Sequence, residues 1–467
     1  MTGRHKTCRF ALIHLGTDEV YGLEYVAAEV KKCGHRIRWF DANEESAVEA
    51  VVAWEADYLC LSPLSAFFDS GLEFSRRVKA LAPSVHSIFG GHHVTAVPES
   101  AELDGVDTVV VGPVYGAIER IVAGDDAGVL RGEPVPVSEM MPARREYFDT
   151  IPSIGGRHRK EIISHFGCPY NCSYCSTSRL KAEYGGKEYR KYWLTRRPIE
   201  HIIEEAKILL DYPTEEVALE DDDMLYGTEI DEWLPKFTAA WKREVGLPIF
   251  GNVTPNTVVK VSDQTMDTLA ELVTVVQMGV QAARKSTLKL FNRQFQNEAQ
   301  VAEAVNRLKK HGIPVKLELI VGAPVDDPVG DALDTVKLAQ RVAAGGFATA
   351  FPLMLYPGTA LHKWCLENNV PLREDCTFDF YSGIGSVEFP PAIQRKITTI
   401  TKLASFFVKY NVDERWMRVL LDMDLTDAAA KSASEAAYYE SLRFRLGEKV
   451  DQEFEEILAK THFRYKS

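Results

Sequence analysis

Short, uniformly apolar runs alternate with longer amphipathic ones twice along this chain, and that alternation restricts its fold more than any other feature. Between residues 8 and 124 the runs CRFALIHLG, RIRWFDA, DYLCLSPL, HSIFGGH and DTVVVG read as strands. YGLEYVAAEVKKCG, SAVEAVVAWE, SGLEFSRRVKALAP and YGAIERIVAG read as the helices between them. Strands that are apolar along their whole length are buried on both faces, so helices cover both sides of a parallel sheet. The spacing predicts an α/β chain whose residues 1–130 form a doubly wound, flavodoxin-like sheet. Its ligand site is expected at the carboxyl ends of the strands, in Gly16–Leu23, Ser62–Asp69 and Gly90–Pro98.

Residues 131–160, rich in Gly, Pro and charge without a sustained period, read as a linker. A second alternating series opens at Glu161, with strands EIISHFG, EVALED, PIFGNV, VVQMGV, VKLELIVG and ATAFPLML. That is too few strands for a closed eightfold barrel and fits an open, partial (β/α)6 barrel over residues 161–370. Residues 371–467 contain AIQRKITTITKLASFFVKY and YYESLRFRLGEKVDQEFEEILAK, which read as a C-terminal helical region.

The 467 residues carry 54 Lys plus Arg against 67 Asp plus Glu, a net charge of −13. That balance argues against nucleic-acid binding, which needs clustered cations on phosphates, and is compatible with a cationic small-molecule substrate. No apolar run is long enough for a membrane span. The N-terminus lacks a signal-peptide pattern, so a cytoplasmic chain with reduced thiols is expected. Three of its eight cysteines fall in SHFGCPYNCSYCSTSR, as Cys168, Cys172 and Cys175. Three thiolates on one loop after a strand can hold three corners of an iron–sulfur cluster, and the missing fourth cysteine leaves one iron open to another ligand. A closed zinc site normally uses four ligands, and a second CxxC pair is absent. Cys8, Cys33, Cys60, Cys365 and Cys376 read as packing residues.

The spacing CxxxCx-aromatic-C, here Cys168, Cys172, Tyr174 and Cys175, resembles the signature of the radical S-adenosylmethionine (SAM) superfamily. The resemblance implies a 4Fe-4S cluster whose open iron is chelated by SAM. Reductive cleavage of SAM then gives a 5′-deoxyadenosyl radical that abstracts a substrate hydrogen. It implies an electron donor such as flavodoxin or ferredoxin, and it sets Tyr174 against the adenine. LEDDDM places Asp221, Asp222 and Asp223 where the family contacts the methionyl group of SAM; a solvated acidic turn is the alternative. VVQMGVQAARKSTLKLFNR matches the family's GxES segment with Gln281 in place of Glu, and an amide there still suits a ribose hydroxyl. In LELIVGAPVDD, Ile320 and Gly322 would pack on the adenine, and YPGTALHKW matches the end of the sixth strand. Asn252 is a further candidate contact. Glu318 shares the face of Ile320, where it would bind a substrate amine, act as a general base, or pair with Lys316.

GGHHVTAVPES, beginning with Gly90 and Gly91, resembles the cobalamin-binding-domain branch of the superfamily. Adjacent glycines let a flat corrin approach the backbone. The chain has no DxHxxG, so no His lower ligand to cobalt is expected; His92 and His93 read as core-edge residues. GPVYG, Gly112 to Gly116, stands where the branch has a GEGE-like segment, which leaves cobalamin binding open. The altered segment, the size and the acidity are similar to radical SAM dehydratases that remove a hydroxyl from an aminosugar diol in aminoglycoside antibiotic biosynthesis. Such enzymes act beside a separate NADPH-dependent reductase. Dehydration is the favoured reaction on this reading, cobalamin-dependent methyl transfer to an unactivated carbon the second, and a non-catalytic corrinoid-binding protein the third.

Overall fold

Six short strands build the first sheet: β1 (Arg9–His14), β2 (Arg36–Asp41), β3 (Tyr58–Leu61), β4 (His86–Phe89), β5 (Thr108–Val111) and β6 (Val129–Arg131), with β1, β3, β4 and β5 buried almost throughout and the edge strands β2 and β6 partly exposed. The computed structural model describes residues 7–125, 128–184, 186–343, 346–374 and 382–423, with positions 376, 425, 429–430 and 433 beyond them. The strands run in the order β2-β1-β3-β4-β5-β6, all pairs parallel, so the winding direction reverses between β1 and β3. Helices Tyr21–Lys32, Ala47–Ala53, Phe68–Leu81 and Ala117–Val122 occupy the expected connections. Leu59, Leu61, Val109 and Val111 lie at the centre of the core with Phe89 and Val94.

The stretch read as a linker corrects that reading. It follows β6, which pairs with β5, and holds helices Arg145–Thr150 and Pro152–Gly155. Only Leu130 of β6 is buried, between exposed Val129 and Arg131, so an edge strand of this kind carries almost no periodic signal.

The chain divides into two compact units, Met1–Glu161 with Ser176–Thr214, and Ile162–Cys175 with Glu215–Ser467. The first unit contains a buried ionic group. Arg144 pairs with Glu19, with Glu24 at 3.1 Å and with Glu205 at 2.8 Å, and Arg197 meets Glu205 at 2.6 Å. The Tyr21 hydroxyl donates to Glu205 at 2.7 Å, and the Arg144 guanidinium sits 5.0 Å over the Tyr21 ring. These side chains are sealed from water, so Glu19 and Glu24 depend on Arg144 for their partner, and Glu205 on both cations.

The second sheet takes β7 (Arg159–Ile162), β10 (Glu216–Leu219), β11 (Ile249–Val253), β12 (Val273–Gln281), β13 (Val315–Val321) and β14 (Phe347–Pro352); β8 (His165–Phe166) and β9 (Thr195–Arg196) are two-residue strands apart from it. The order β14-β13-β12-β11-β10-β7 makes every strand a neighbour of its predecessor, as in an open barrel. Period-2 alternation divides its faces. Leu317, Leu319 and Val321 of β13 are buried against the helices, while Lys316, Glu318 and Ile320 point to the half-open inner face. Helix Pro391–Lys409 packs on β14 and on helix Pro328–Ala343, covering the sheet at its edge strand. Helix Glu414–Asp422 follows. The segment YYESLRFRLGEKVDQEFEEILAK lies outside the described residues. No helix among the described residues is long and apolar enough to cross a membrane.

Replacing Arg144 with Met leaves three buried carboxylates sharing one cation. Urea denaturation is expected to show a loss of about 3–5 kcal/mol; a loss below about 1 kcal/mol would show that water reaches the group.

Candidate active site

The cysteines sit on the loop Gly167–Cys175, which leaves β8 through a left-handed turn at Gly167 (φ +84°). The loop is clasped by the segment that follows β12. Ser173 N–H donates to the Phe291 carbonyl at 3.0 Å and its hydroxyl to the Leu290 carbonyl at 2.6 Å. Asn292 donates to the Asn171 carbonyl at 2.8 Å, and Tyr170 stacks on Phe295 with ring centroids 4.1 Å apart. Cys172 is buried and Cys168 and Cys175 are half-buried. Burial, then the field of Asp222, pushes the Cys168 thiol far up, with smaller contributions from Cys175 and Cys172. The Cys168 thiol therefore ionises only when a metal supplies positive charge. Among the described residues no set of ligands is drawn in to hold a single metal ion. Three cysteines within eight residues on one loop match the ligand pattern of a cluster in sequence.

The LEDDDM aspartates separate. Asp221 is fully buried and accepts from Ser164 N–H at 2.6 Å, His165 N–H at 2.9 Å and the Ser164 hydroxyl at 2.5 Å. Asp223 is fully buried and accepts from the Thr254 hydroxyl at 2.7 Å and the Thr257 hydroxyl at 3.0 Å. Both carboxylates are thus taken up in holding the strand ends together, which corrects their assignment as ligand contacts. Asp222, between them, is exposed and close enough to act on Cys168.

Tyr174 and Ile320 meet in one apolar wall with Ala282, Phe291, Leu355 and Phe389. Gly322 (φ +80°) lies at its edge, where a Cβ would stand 3.4 Å from Ile397. Gln281 also has a left-handed backbone (φ +68°), at a shift in the β12–β13 register between Gly279 and Gln281. Such a bulge in a non-glycine residue costs energy and re-aims the side chain. Across the inner face Asn252 Nδ2 donates to the Asp221 carbonyl at 3.2 Å, Gln277 Nε2 to Asn252 Oδ1 at 3.2 Å, and Lys316 Nζ to Gln277 Oε1 at 2.9 Å. Lys316 is therefore turned to Gln277. Glu318 on the same face accepts no hydrogen bond and makes no ion pair among the described residues. Burial pushes its carboxyl above the usual glutamate range, Lys316 draws it back, and Glu220 pushes it further up.

The sequence reading passed over Arg293. Its guanidinium is 6% exposed and donates to Cys172 Sγ at 3.4 Å, the Tyr174 hydroxyl at 3.2 Å, the Gly279 carbonyl at 2.7 Å and Gln296 Oε1 at 3.1 Å. An Arg twelve residues beyond Gln281 gives no local sign that the chain returns it to the cysteines.

In the first unit, glycines gather at the strand ends as expected. At Gly90 a Cβ would meet nothing within 4 Å, whereas at Gly91 (φ +85°) it would stand 2.4 Å from Ser62 Oγ. Gly16 is closed over by the Phe67 ring. The open backbone at Gly90 fits the approach of a flat macrocycle. His93 stacks on Phe68 at 4.0 Å and shares a 3.0 Å hydrogen bond with Ser65, so it is a core-edge residue. In GPVYG, Tyr115 is buried, and Glu133, which follows β6, brings its carboxyl carbon to 3.1 Å from the Cβ position of Gly116. A carboxylate thus reaches this turn from the stretch read as a linker.

Asp221→Ala removes the acceptor of two buried N–H groups and a hydroxyl. At about 1–3 kcal/mol for a buried donor left unpaired, its thermal midpoint should fall clearly, while Asp222→Ala should melt like the parent. Equal melting of the two variants would contradict the division drawn between them.

The model of the Radical SAM superfamily matches residues 162–337, and that of the B12 binding domain matches residues 15–122. An uncharacterized methyltransferase of Pyrococcus horikoshii is 22% identical over 402 residues, which cover 76% of this chain and 80% of that protein. The bacteriochlorophyllide d C-8(2)-methyltransferase of Chlorobaculum tepidum is 23% identical over 324 residues, 65% of this chain and 66% of its own. The radical SAM methyltransferase TsrM of Kitasatospora setae, solved with tryptophan substrate and a SAM analogue, superposes with a TM-score of 0.64 at 11% identity, covering 97% of this chain and all of that one. Its likeness is one of fold. Residues 162–337 thus form a domain of the radical SAM type, which implies a 4Fe-4S cluster and SAM, and the chain joins it to one of the B12-binding type.

Proposed function

We propose that this chain is a cobalamin-dependent radical SAM methyltransferase acting on an unactivated carbon of a polar small molecule. The observation that carries it is the pairing of both domain types in one chain, supported by 22% identity over 76% of its length to an uncharacterized methyltransferase. This reverses the preference for dehydration drawn from sequence, which rested on GPVYG, the size and the acidity of the chain. The Glu133 carboxyl beside Gly116 weakens that ground. Cys168, Cys172 and Cys175 would hold the cluster, and Gly90 would admit the corrin. When bound, the cluster supplies an electron to SAM, and cobalamin supplies a methyl carrier.

The protein's own part is to bind and orient. On this reading Tyr174, Ile320 and Gly322 would pack on the adenine, Asp222 would take the methionyl amine, and Gln281 the ribose. On the inner face Lys316, Gln277 and Asn252 form a hydrogen-bonded row that leaves Glu318 to meet the substrate. The row favours a hydrogen-bonding substrate, and Glu318 a cationic one. All eight cysteines are free thiols, in keeping with a reducing cytoplasm.

One observation keeps dehydration of an aminosugar diol as the second reading. A half-buried carboxyl with a raised pKa and no partner is a general base in waiting. On that reading a flavodoxin or ferredoxin supplies the electron and a separate NADPH-dependent reductase completes the deoxygenation.

Anaerobic reconstitution with iron, sulfide and hydroxocobalamin separates the two. Methyl transfer requires stoichiometric cobalt besides about four irons per chain; iron without cobalt returns the assignment to dehydration. Cys172→Ala should abolish SAM cleavage, and persistent 5′-deoxyadenosine formation in that variant would sink both readings.

A rate that depends on ionised Glu318 should rise with pH through a value above the ordinary glutamate range, because burial favours the neutral acid. Glu318→Gln should remove that limb from the pH profile. An unchanged profile would take Glu318 out of the reaction.

A further inference from the structure

We propose that Arg293 is a positioning residue that raises the reduction potential of the cluster by donating to the Cys172 sulfur. This rests on the cluster at the three cysteines and not on which reaction follows. Arg293 is almost fully buried, and among the described residues no carboxylate pairs with it. Its contacts are two neutral carbonyl oxygens, a phenol, an aromatic face and a sulfur. Nη2 takes the Gly279 carbonyl and the Gln296 side chain, Nη1 takes Tyr174 and Cys172, and the Phe295 ring lies 5.4 Å from the guanidinium carbon. A buried guanidinium without an anion is strongly unfavourable. The sulfur within reach, Cys172 Sγ at 3.4 Å from Nη1, becomes anionic as a thiolate ligand.

The geometry is held from behind. Gln296 donates to the Val280 carbonyl at 2.9 Å while accepting from Arg293, so the guanidinium plane is locked to the bulged end of β12. Nη1 is left pointing at Cys172. Hydrogen bonds to cluster sulfurs and nearby fixed charge both set the potential of an iron–sulfur centre. Reduction adds negative charge, so a fixed cation and an N–H···S bond favour the reduced form and raise the potential. Because Nη1 also holds the Tyr174 hydroxyl, the same cation ties the cluster loop to the apolar wall.

The test uses the full chain, reconstituted anaerobically with iron and sulfide, and follows the cluster by redox titration with paramagnetic resonance detection. Wild type without iron would defeat the cluster assignment itself. Arg293→Gln should load iron to the wild-type level and titrate at a more negative potential. Arg293→Lys, which keeps the charge and loses the fork, should shift in the same direction by less. Tyr174→Phe, which keeps both charge and sulfur contact, should titrate close to wild type. Loaded Arg293→Gln with an unchanged potential overturns the proposal. If Arg293→Gln fails to load, a loaded Arg293→Lys decides alone: a negative shift supports the proposal and no shift overturns it. Loss of iron in both variants with unchanged thermal melts would also overturn it, in favour of a role in cluster loading.

Discussion

Parallel strand pairing is the constraint on which the rest of this protein depends. A parallel ladder needs a crossover after every strand, so each chain reversal brings the next carboxyl end to the same edge. Several of the groups discussed above leave from such edges. In the second unit these are the Cys168–Cys175 loop after β8, Asp221 after β10, Thr254 after β11, Gln281 at the end of β12 and Gly322 after β13. In the first they are Gly16, Ser62, Gly90 and Gly112. Hydrogen bonds between strands that carry no chemistry therefore decide which distant residues meet.

Once gathered, these edges need internal fastening, because loops lack ladders of their own. Two buried carboxylates supply part of it. Asp221 gathers the N–H groups before β8, and Asp223 gathers two threonine hydroxyls after β11. The clasp between Ser173 and Leu290–Phe291 supplies the rest and carries Arg293 to Cys172. The exposed Asp222 between two structural aspartates shows how three adjacent identical residues acquire different tasks when burial alternates.

The inner face of the second sheet differs from the filled interior of a closed barrel. Half-buried Asn252, Gln277, Lys316, Glu318 and Thr349 leave it polar. Lys316 donates to Gln277 at 2.9 Å, while its charge still acts on the Glu318 carboxyl. The ion pair that sequence allowed between the two is replaced by a lysine in a hydrogen-bonded row and a carboxyl facing inward. That arrangement sets a polar inner face beside the apolar wall of Tyr174 and Ile320.

Strand runs, helix connections, the three-cysteine loop and the glycine pair at residues 90–91 were legible in the sequence, because each is local: period, turn chemistry or spacing within a few residues. The shared face of Glu318 and Ile320 was legible for the same reason. What only the tertiary structure decided is which partner each polar group meets. It consumed Asp221 and Asp223 in strand-end contacts, left Asp222 exposed, added β6 from a charged stretch and brought Glu133 to Gly116. It also returned Arg293 to a cysteine 121 positions earlier in the chain. Contacts of that range are set by the packing of whole sheets, and the energy of a buried charge depends on the partner packing delivers, which no residue's own neighbourhood records.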